Sequence, residues 1–188
     1  MPRPGRTAFL VLTIVSLSLF TLPNPFFDSF ETPARAASTF TVNSTGDAPD
    51  SNTGDGVCDD GAGHCTLRAA IQQANATNGA DTINFSIGTG VQQITVVNEA
   101  LPNVSDVVVI DATTQPGYAG TPLVEIVGFQ MWGISITAGD SVVRGLAVGG
   151  FNEGIKLSFS GGNKVEGCYL GVISEGGVRA AAPTRVKP

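Results

Sequence analysis

Histidine and tryptophan each occur once in this 188-residue chain, tyrosine occurs twice, and 10 Lys and Arg stand against 16 Asp and Glu, a formal net charge of −6. With no second imidazole, His64 has no partner for a zinc site or a hydrolytic triad, and it reads as a solvated loop residue. An acidic chain without a Lys/Arg stripe repels phosphate, which excludes nucleic acid as a partner. Long apolar runs are missing too. The one candidate, residues 8–22, falls short of the roughly 20 residues a spanning helix needs, and Pro23 and Pro25 close it. Helical periodicity is equally scarce. Beyond residue 80 no stretch of useful length shows it, which excludes a doubly wound α/β sheet and leaves a sandwich, a barrel or a solenoid.

What is present begins with a leader. Arg3 and Arg6 precede the apolar run, and Ala34-Arg35-Ala36 stands before Ala37, the layout of a secretory signal peptide over residues 1–36. The chain is therefore expected to be exported, secreted or held at the cell surface, with no membrane span once the leader is cleaved. An uncleaved membrane anchor is the competing reading. Three cysteines in an exported chain suggest one disulfide and one leftover thiol. Cys58 and Cys65 make the natural pair, because Asp59, Asp60, Gly61, Ala62 and Gly63 between them allow a tight turn. Cys168 lies in an apolar run and reads as a buried thiol, with intermolecular pairing as the alternative.

Residues 38–44 alternate apolar and polar side chains as a half-buried strand does, and 45–64 form a Gly/Asp/Asn/Pro loop. Thr66 suits an N-cap. Leu67, Ala70, Ile71 and Ala74 follow at helical spacing, so a helix is predicted over 66–77, with Arg68, Gln72, Gln73 and Asn75 on its other face and Asn78-Gly79 as the stop. From residue 81 the texture changes to short β-branched runs separated by Gly, Asn, Asp and Pro. Aligning Gly133-Ile134-Ser135-Ile136 with Gly154-Ile155-Lys156-Leu157, and residues 143–149 with 165–171, reveals a period of about 21 to 22 residues. A unit of that size holds two or three strands and cannot bury its own apolar face, so it must stack on its neighbours. Two similar hairpins of a sandwich are the alternative. In a stack, Ile134 with Ile155, Ile136 with Leu157 and Leu146 with Cys168 would form inward columns. The helix would then cap the first coil, shielding a core end and strand edges that otherwise invite end-to-end self-association.

One string carries a family resemblance. Cys65-Thr66-Leu67-Arg68-Ala69-Ala70-Ile71, together with the stretch 40–76 around it, resembles the N-terminal module of bacterial surface proteins named for a C-[ST]-L-R-E-A motif. Asp81-Thr82-Ile83-Asn84-Phe85 and Ile110-Asp111-Ala112-Thr113-Thr114-Gln115-Pro116-Gly117-Tyr118 extend the likeness, which covers about residues 38–172. The chain departs from it at Ala69, where the family usually has Glu. The resemblance implies an all-β fold, a right-handed single-stranded parallel β-helix of pectin-lyase-like type with one N-terminal capping α-helix. It also implies a structural or adhesive role without catalysis. The expected organisation is a leader at 1–36, a cap module at 37–80, coils at 81–172 and an irregular tail at 173–188. Strand pattern stops after Gly171, which predicts a truncated or frame-interrupted copy of a longer protein.

Catalysis would need paired carboxylates or an acidic cluster beside a base. The repeat supplies neither: Glu166 falls under Arg144, and Asp140 falls near Gly162. No catalytic residue is assigned. The acidic loop suits calcium in its oxygen-rich composition, with Asp55, Asp59 and Asp60 as candidate ligands, though its order departs from the EF-hand pattern. Phe129, Trp132 and Phe151 gather at a predicted turn. Trp132 and Phe151 are the candidate sugar-stacking pair, with core or turn packing as the other use. Extracellular polysaccharide or cell-envelope components are the expected partners. A fragment of a polysaccharide lyase or hydrolase, or a glycan-binding module, is the alternative function.

Overall fold

The computed structural model describes residues 36–97 and 99–171, together with the backbone of short strands at 173–175, 178–180 and 184–185. The expected leader, up to residue 35, lies outside the described residues. Among the described residues, no helix is long and apolar enough to cross a membrane.

Strands dominate, and nearly all of their pairing is parallel. In the first sheet β1 (Thr39–Val42), β2 (Asp81–Phe85), β4 (Val108–Asp111), β7 (Val142–Arg144) and β10 (Lys164–Glu166) lie side by side in that order, every pair parallel. The second sheet runs β3 (Gln92–Val96), β5 (Val124–Gly128), β8 (Leu146–Gly149) and β11 (Tyr169–Leu170), again parallel. A third pairs β6 (Trp132–Ile136) with β9 (Glu153–Leu157), and Val104 bridges to Ile136 above them. From β4 to β11 the chain visits the three sheets in rotation. Within β4 to β11, strands adjacent in a sheet are therefore never consecutive, and short connections replace the crossover helices that parallel sheets usually require, whereas α1 joins the paired strands β1 and β2.

The register is the one the repeat predicts: Val143 pairs with Val165, Ile134 with Ile155, Ile136 with Leu157 and Val148 with Leu170. Inward residues then stack by kind. Phe40, Ile83, Ile110, Val143 and Val165 form one column, and Ile94, Ile126, Val148 and Leu170 another. All but the last member of each is buried. Side chains brought to the pairing distance of neighbouring strands exclude water along the whole column, and each buried aliphatic contributes about 1.5–3 kcal/mol. The column facing outward from the first sheet is polar: Thr41, Asn84, Asp111, Arg144 and Glu166. Turns between the sheets are tight. Gly145, with φ +72, lets the chain pass from β7 to β8 where a Cβ would lie 2.8 Å from Thr113 Cγ2.

The helix α1 (Leu67–Ala76) begins and ends as predicted, with the Thr66 hydroxyl accepting from the Ala69 N–H and Thr77 closing the last turn. Leu67, Ala70, Ile71 and Ala74 join the core with Phe40 and Val42, so α1 closes the N-terminal end of the stack over β1 and β2. The polar face differs from expectation, because Arg68 and Gln73 are buried rather than solvated. Two loops cover that face, residues 47–53 and residues 99–105, and polar side chains are needed to satisfy their backbone groups.

The tail carries more pairing than its sequence suggests. β12 (Ile173–Glu175) and β13 (Val178–Ala180) form an antiparallel hairpin, and β14 (Thr184–Arg185) pairs antiparallel with β11.

Candidate functional site

The cap holds the densest polar chemistry. Arg68 sits in its centre, 5% exposed. Its Nε donates to Asp47 Oδ1 at 3.0 Å and its Nη2 to Asp47 Oδ2 at 3.0 Å, while Nη2 also reaches the Glu99 carbonyl at 2.8 Å and Nη1 the Ala100 carbonyl at 2.9 Å. The planar fork thus ties helix, acidic loop and the segment following β3 into one unit. Asp47 adds a bond from the Val97 N–H. Next along the helix, Gln72 accepts from the Asp50 N–H, Gln73 donates to the Thr53 carbonyl, and Asn75 holds residues 103 and 105 through both ends of its amide. The motif residues from Thr66 to Arg68 therefore cap and clamp.

Cys58 and Cys65 form the disulfide, with Cα atoms 5.1 Å apart. It closes a loop whose carboxylates fold the loop itself. Asp55 accepts from the Val57 N–H and the Asn52 amide, and Asp59 from the N–H groups of Gly61 and Gly63. Asp60 accepts from Ala62 and His64 N–H, with the His64 ring 3.2 Å away. Hydrogen bonds to the charged form, the Ala62 N–H foremost, hold the Asp60 carboxyl below its ordinary value. The short Asp side chain suits such turns because it reaches an N–H two residues on. Asp55, Asp59 and Asp60 are brought into one loop, with oxygens directed at its backbone. Among the described residues no group of three or more His, Cys, Asp or Glu is placed to hold a metal ion.

The turn aromatics are close in sequence but differ in setting. Phe151 is half-buried: its ring atoms come within 2.6 Å of where a Cβ on Gly128 would sit and within 2.9 Å for Gly133, so two glycines form its bed. Trp132 is half-buried with the Lys156 ammonium 4.3 Å from its ring centroid, a cation–π contact along the β6–β9 pair. The open ring is Phe129, 95% exposed at the same turn.

Along the outer face of the first sheet, Arg144 Nη2 donates to Asp111 Oδ2 at 2.6 Å. Burial pushes the Asp111 carboxyl up, yet hydrogen bonds from Arg144 and Thr113 prevail and hold it below its ordinary value. The Asp111 hydrogen bond and charge in turn push the Arg144 guanidinium up. The sequence repeat paired Arg144 with Glu166, and the register agrees, but it missed Asp111 because the offset to β4 is longer than one repeat. Asp140 lies against Gly162 as expected. Cys168 is buried and reduced, and burial raises its thiol above the ordinary value.

Comparison of the chain with family models, with curated proteins and with solved structures found no match.

Proposed function

We propose that this chain is an exported, non-catalytic β-helix protein, a structural or adhesive scaffold of the cell surface or extracellular space. The observation that carries the reading is the rotation of the chain through three parallel sheets with in-register apolar columns inside and a polar ladder outside. A right-handed solenoid closed by an N-terminal helix accounts for it with the fewest assumptions. Two further features support the proposal. The disulfide suits an oxidising compartment, and the cap built on Cys65-Thr66-Leu67-Arg68 resembles the surface-protein module. The buried charged residues Arg68, Asp81 and Asp111 are engaged in joining strands or loops, which is the work of a scaffold.

The test is fractionation of cells producing the full chain, combined with thiol labelling and incubation with polysaccharides. The expected result is oxidised Cys58 and Cys65 in the surface or medium fraction, with no sugar released. A reduced cytosolic product overturns the export reading, and release of oligosaccharides or unsaturated sugar ends overturns the scaffold reading.

A glycan-binding module is the second reading, favoured by the open Phe129 ring three residues before Trp132, whose own ring carries Lys156. Retention on a polysaccharide affinity gel that Phe129→Ala abolishes, with unchanged melting, would decide for it.

A further inference from the structure

Four Asn-x-Ser/Thr triplets occur in the chain, beginning at Asn43, Asn75, Asn84 and Asn103. Such a triplet is the acceptor signature of N-linked glycosylation, and in an exported chain it belongs on the surface. Two demands decide which of them can serve. An amide nitrogen is a poor nucleophile, so a transferase must grip and turn the carboxamide, which has to be exposed and free of the protein's own hydrogen bonds. The hydroxyl two residues on has to lie on the same side of the backbone, an arrangement that extended chain provides and helix does not.

Three triplets fail. Asn75 lies in α1, where its amide donates to the Asn103 carbonyl and accepts from the Ser105 N–H, and the Thr77 hydroxyl donates to the Gln73 carbonyl. Asn84 is half-buried within β2, walled by Thr41 and Asp111 one strand spacing away on either side. Asn43 is exposed, but its Oδ1 accepts from the Cys65 N–H at 2.9 Å and its own N–H donates to the Cys65 carbonyl, which fixes the side chain beside the disulfide.

Asn103-Val104-Ser105 meets both demands. Val104 is buried and pairs with the third sheet, its N–H donating to the Ser135 carbonyl at 2.8 Å and its carbonyl accepting from the Thr137 N–H at 2.9 Å. That pairing holds the segment extended, with Asn103 and Ser105 both exposed on the side opposite Val104. Asn75 braces it from the helix, through the Asn103 carbonyl at 2.7 Å and the Ser105 N–H at 2.8 Å. Both of those bonds use backbone groups. The Asn103 carboxamide and the Ser105 hydroxyl make no hydrogen bond among the described residues.

We propose that Asn103 is an N-glycosylation site. Its Nδ2 attacks the anomeric carbon of a sugar carried on a diphosphate. The C–N bond forms, the bond from that carbon to the diphosphate oxygen breaks, the diphosphate leaves with the electron pair, and the amide proton passes to a base of the transferase. The producing cell supplies the transferase and its donor, a nucleotide-linked or lipid-linked sugar. The sugar stands at the seam between α1 and the third sheet. The inference rests on the export reading only for the place where the modified chain is found.

Mass spectrometry tests it. Full chain is recovered from the medium, surface and interior of the cells that naturally make it, and its intact mass and proteolytic peptides are measured. Added sugar is expected on the peptide bearing Asn103, lost in N103Q and in S105A and kept in S105T and in N43Q. S105A leaves Asn103 in place, so loss there reports the acceptor triplet rather than the asparagine's part in folding. A single sugar residue points to the nucleotide-linked donor, and a preassembled oligosaccharide to the lipid-linked one. A chain unmodified at Asn103 in every fraction overturns the proposal whichever fraction it occupies, so export is judged separately, by location. Sugar on Asn43, Asn75 or Asn84 in place of Asn103, or sugar on Asn103 that survives S105A, overturns it as well.

Discussion

Arg68 and Asp47 form a two-point ion pair buried between the capping helix and the acidic loop, with both carboxylate oxygens of Asp47 engaged. The guanidinium also satisfies the carbonyls of Glu99 and Ala100, so the Arg68–Asp47 pair closes three segments on one another.

Removing it should loosen the cap. Arg68→Ala leaves a buried carboxylate and two carbonyls without their donor, and is expected to destabilise the fold by about 3–5 kcal/mol. Arg68→Lys keeps the charge but loses the fork, and should fall between wild type and Ala. Urea denaturation with tryptophan fluorescence measures both. A loss below about 1 kcal/mol for Ala, the range of exposed ion pairs, would contradict the clamp.

Ala69 is completely buried at the position where the resembled family has Glu. Ala69 lies outside the apolar core cluster, one turn before the buried Gln73, and a carboxylate in that filled position would lose its water, so Ala69→Glu is expected to cost several kcal/mol, about 2–7 for a polar group without compensation. Ala69→Ser tests size with less polarity. Equal melting temperatures for wild type and Glu would show that the cap has room for the family residue.

The Cys58–Cys65 bridge closes a short loop. Loop-closure entropy assigns it about 2 kcal/mol, and the Asp59 and Asp60 turns have hydrogen bonds of their own. A Cys58→Ser/Cys65→Ser double variant should therefore still fold with a lower melting temperature. Complete unfolding at room temperature would show that the disulfide, rather than Arg68, holds the cap.

Acid should weaken the outer ladder before the core. The Asp111 and Asp60 carboxyls are both held below their ordinary values in the folded chain, so each contributes stability that is present above the unfolded carboxyl pKa and is lost as pH falls through the folded one. Melting temperature is expected to drop from neutral pH toward and below the ordinary carboxyl range, with a shallower slope in Asp111→Asn. A variant slope equal to that of wild type would remove Asp111 from the account.

The helix, the disulfide and the strand columns at the repeat were legible in the sequence for a common reason. Each rests on a local signal: Thr66 before Leu67, Ala70 and Ile71 at helical spacing, two cysteines around a glycine-rich turn, and β-branched residues recurring at one interval. The repeat lost its force where the spacing between paired strands changes. Asp111 could not be matched with Arg144, because the connection between β4 and β7 is longer than that between β7 and β10.

Composition and periodicity alone pointed to a strand-rich chain with a repeating unit that must stack and one helix with a single apolar face, while parallel pairing was what the family resemblance implied. Tertiary structure decided which polar residues are buried. Arg68, Gln73 and Asp111 look like solvated residues in sequence, and they are covered because distant segments, residues 47–53, residues 99–105 and Arg144, bring backbone groups or charges that must be satisfied away from water. Apolar burial is announced by pattern; polar burial depends on partners that only the folded chain brings into reach.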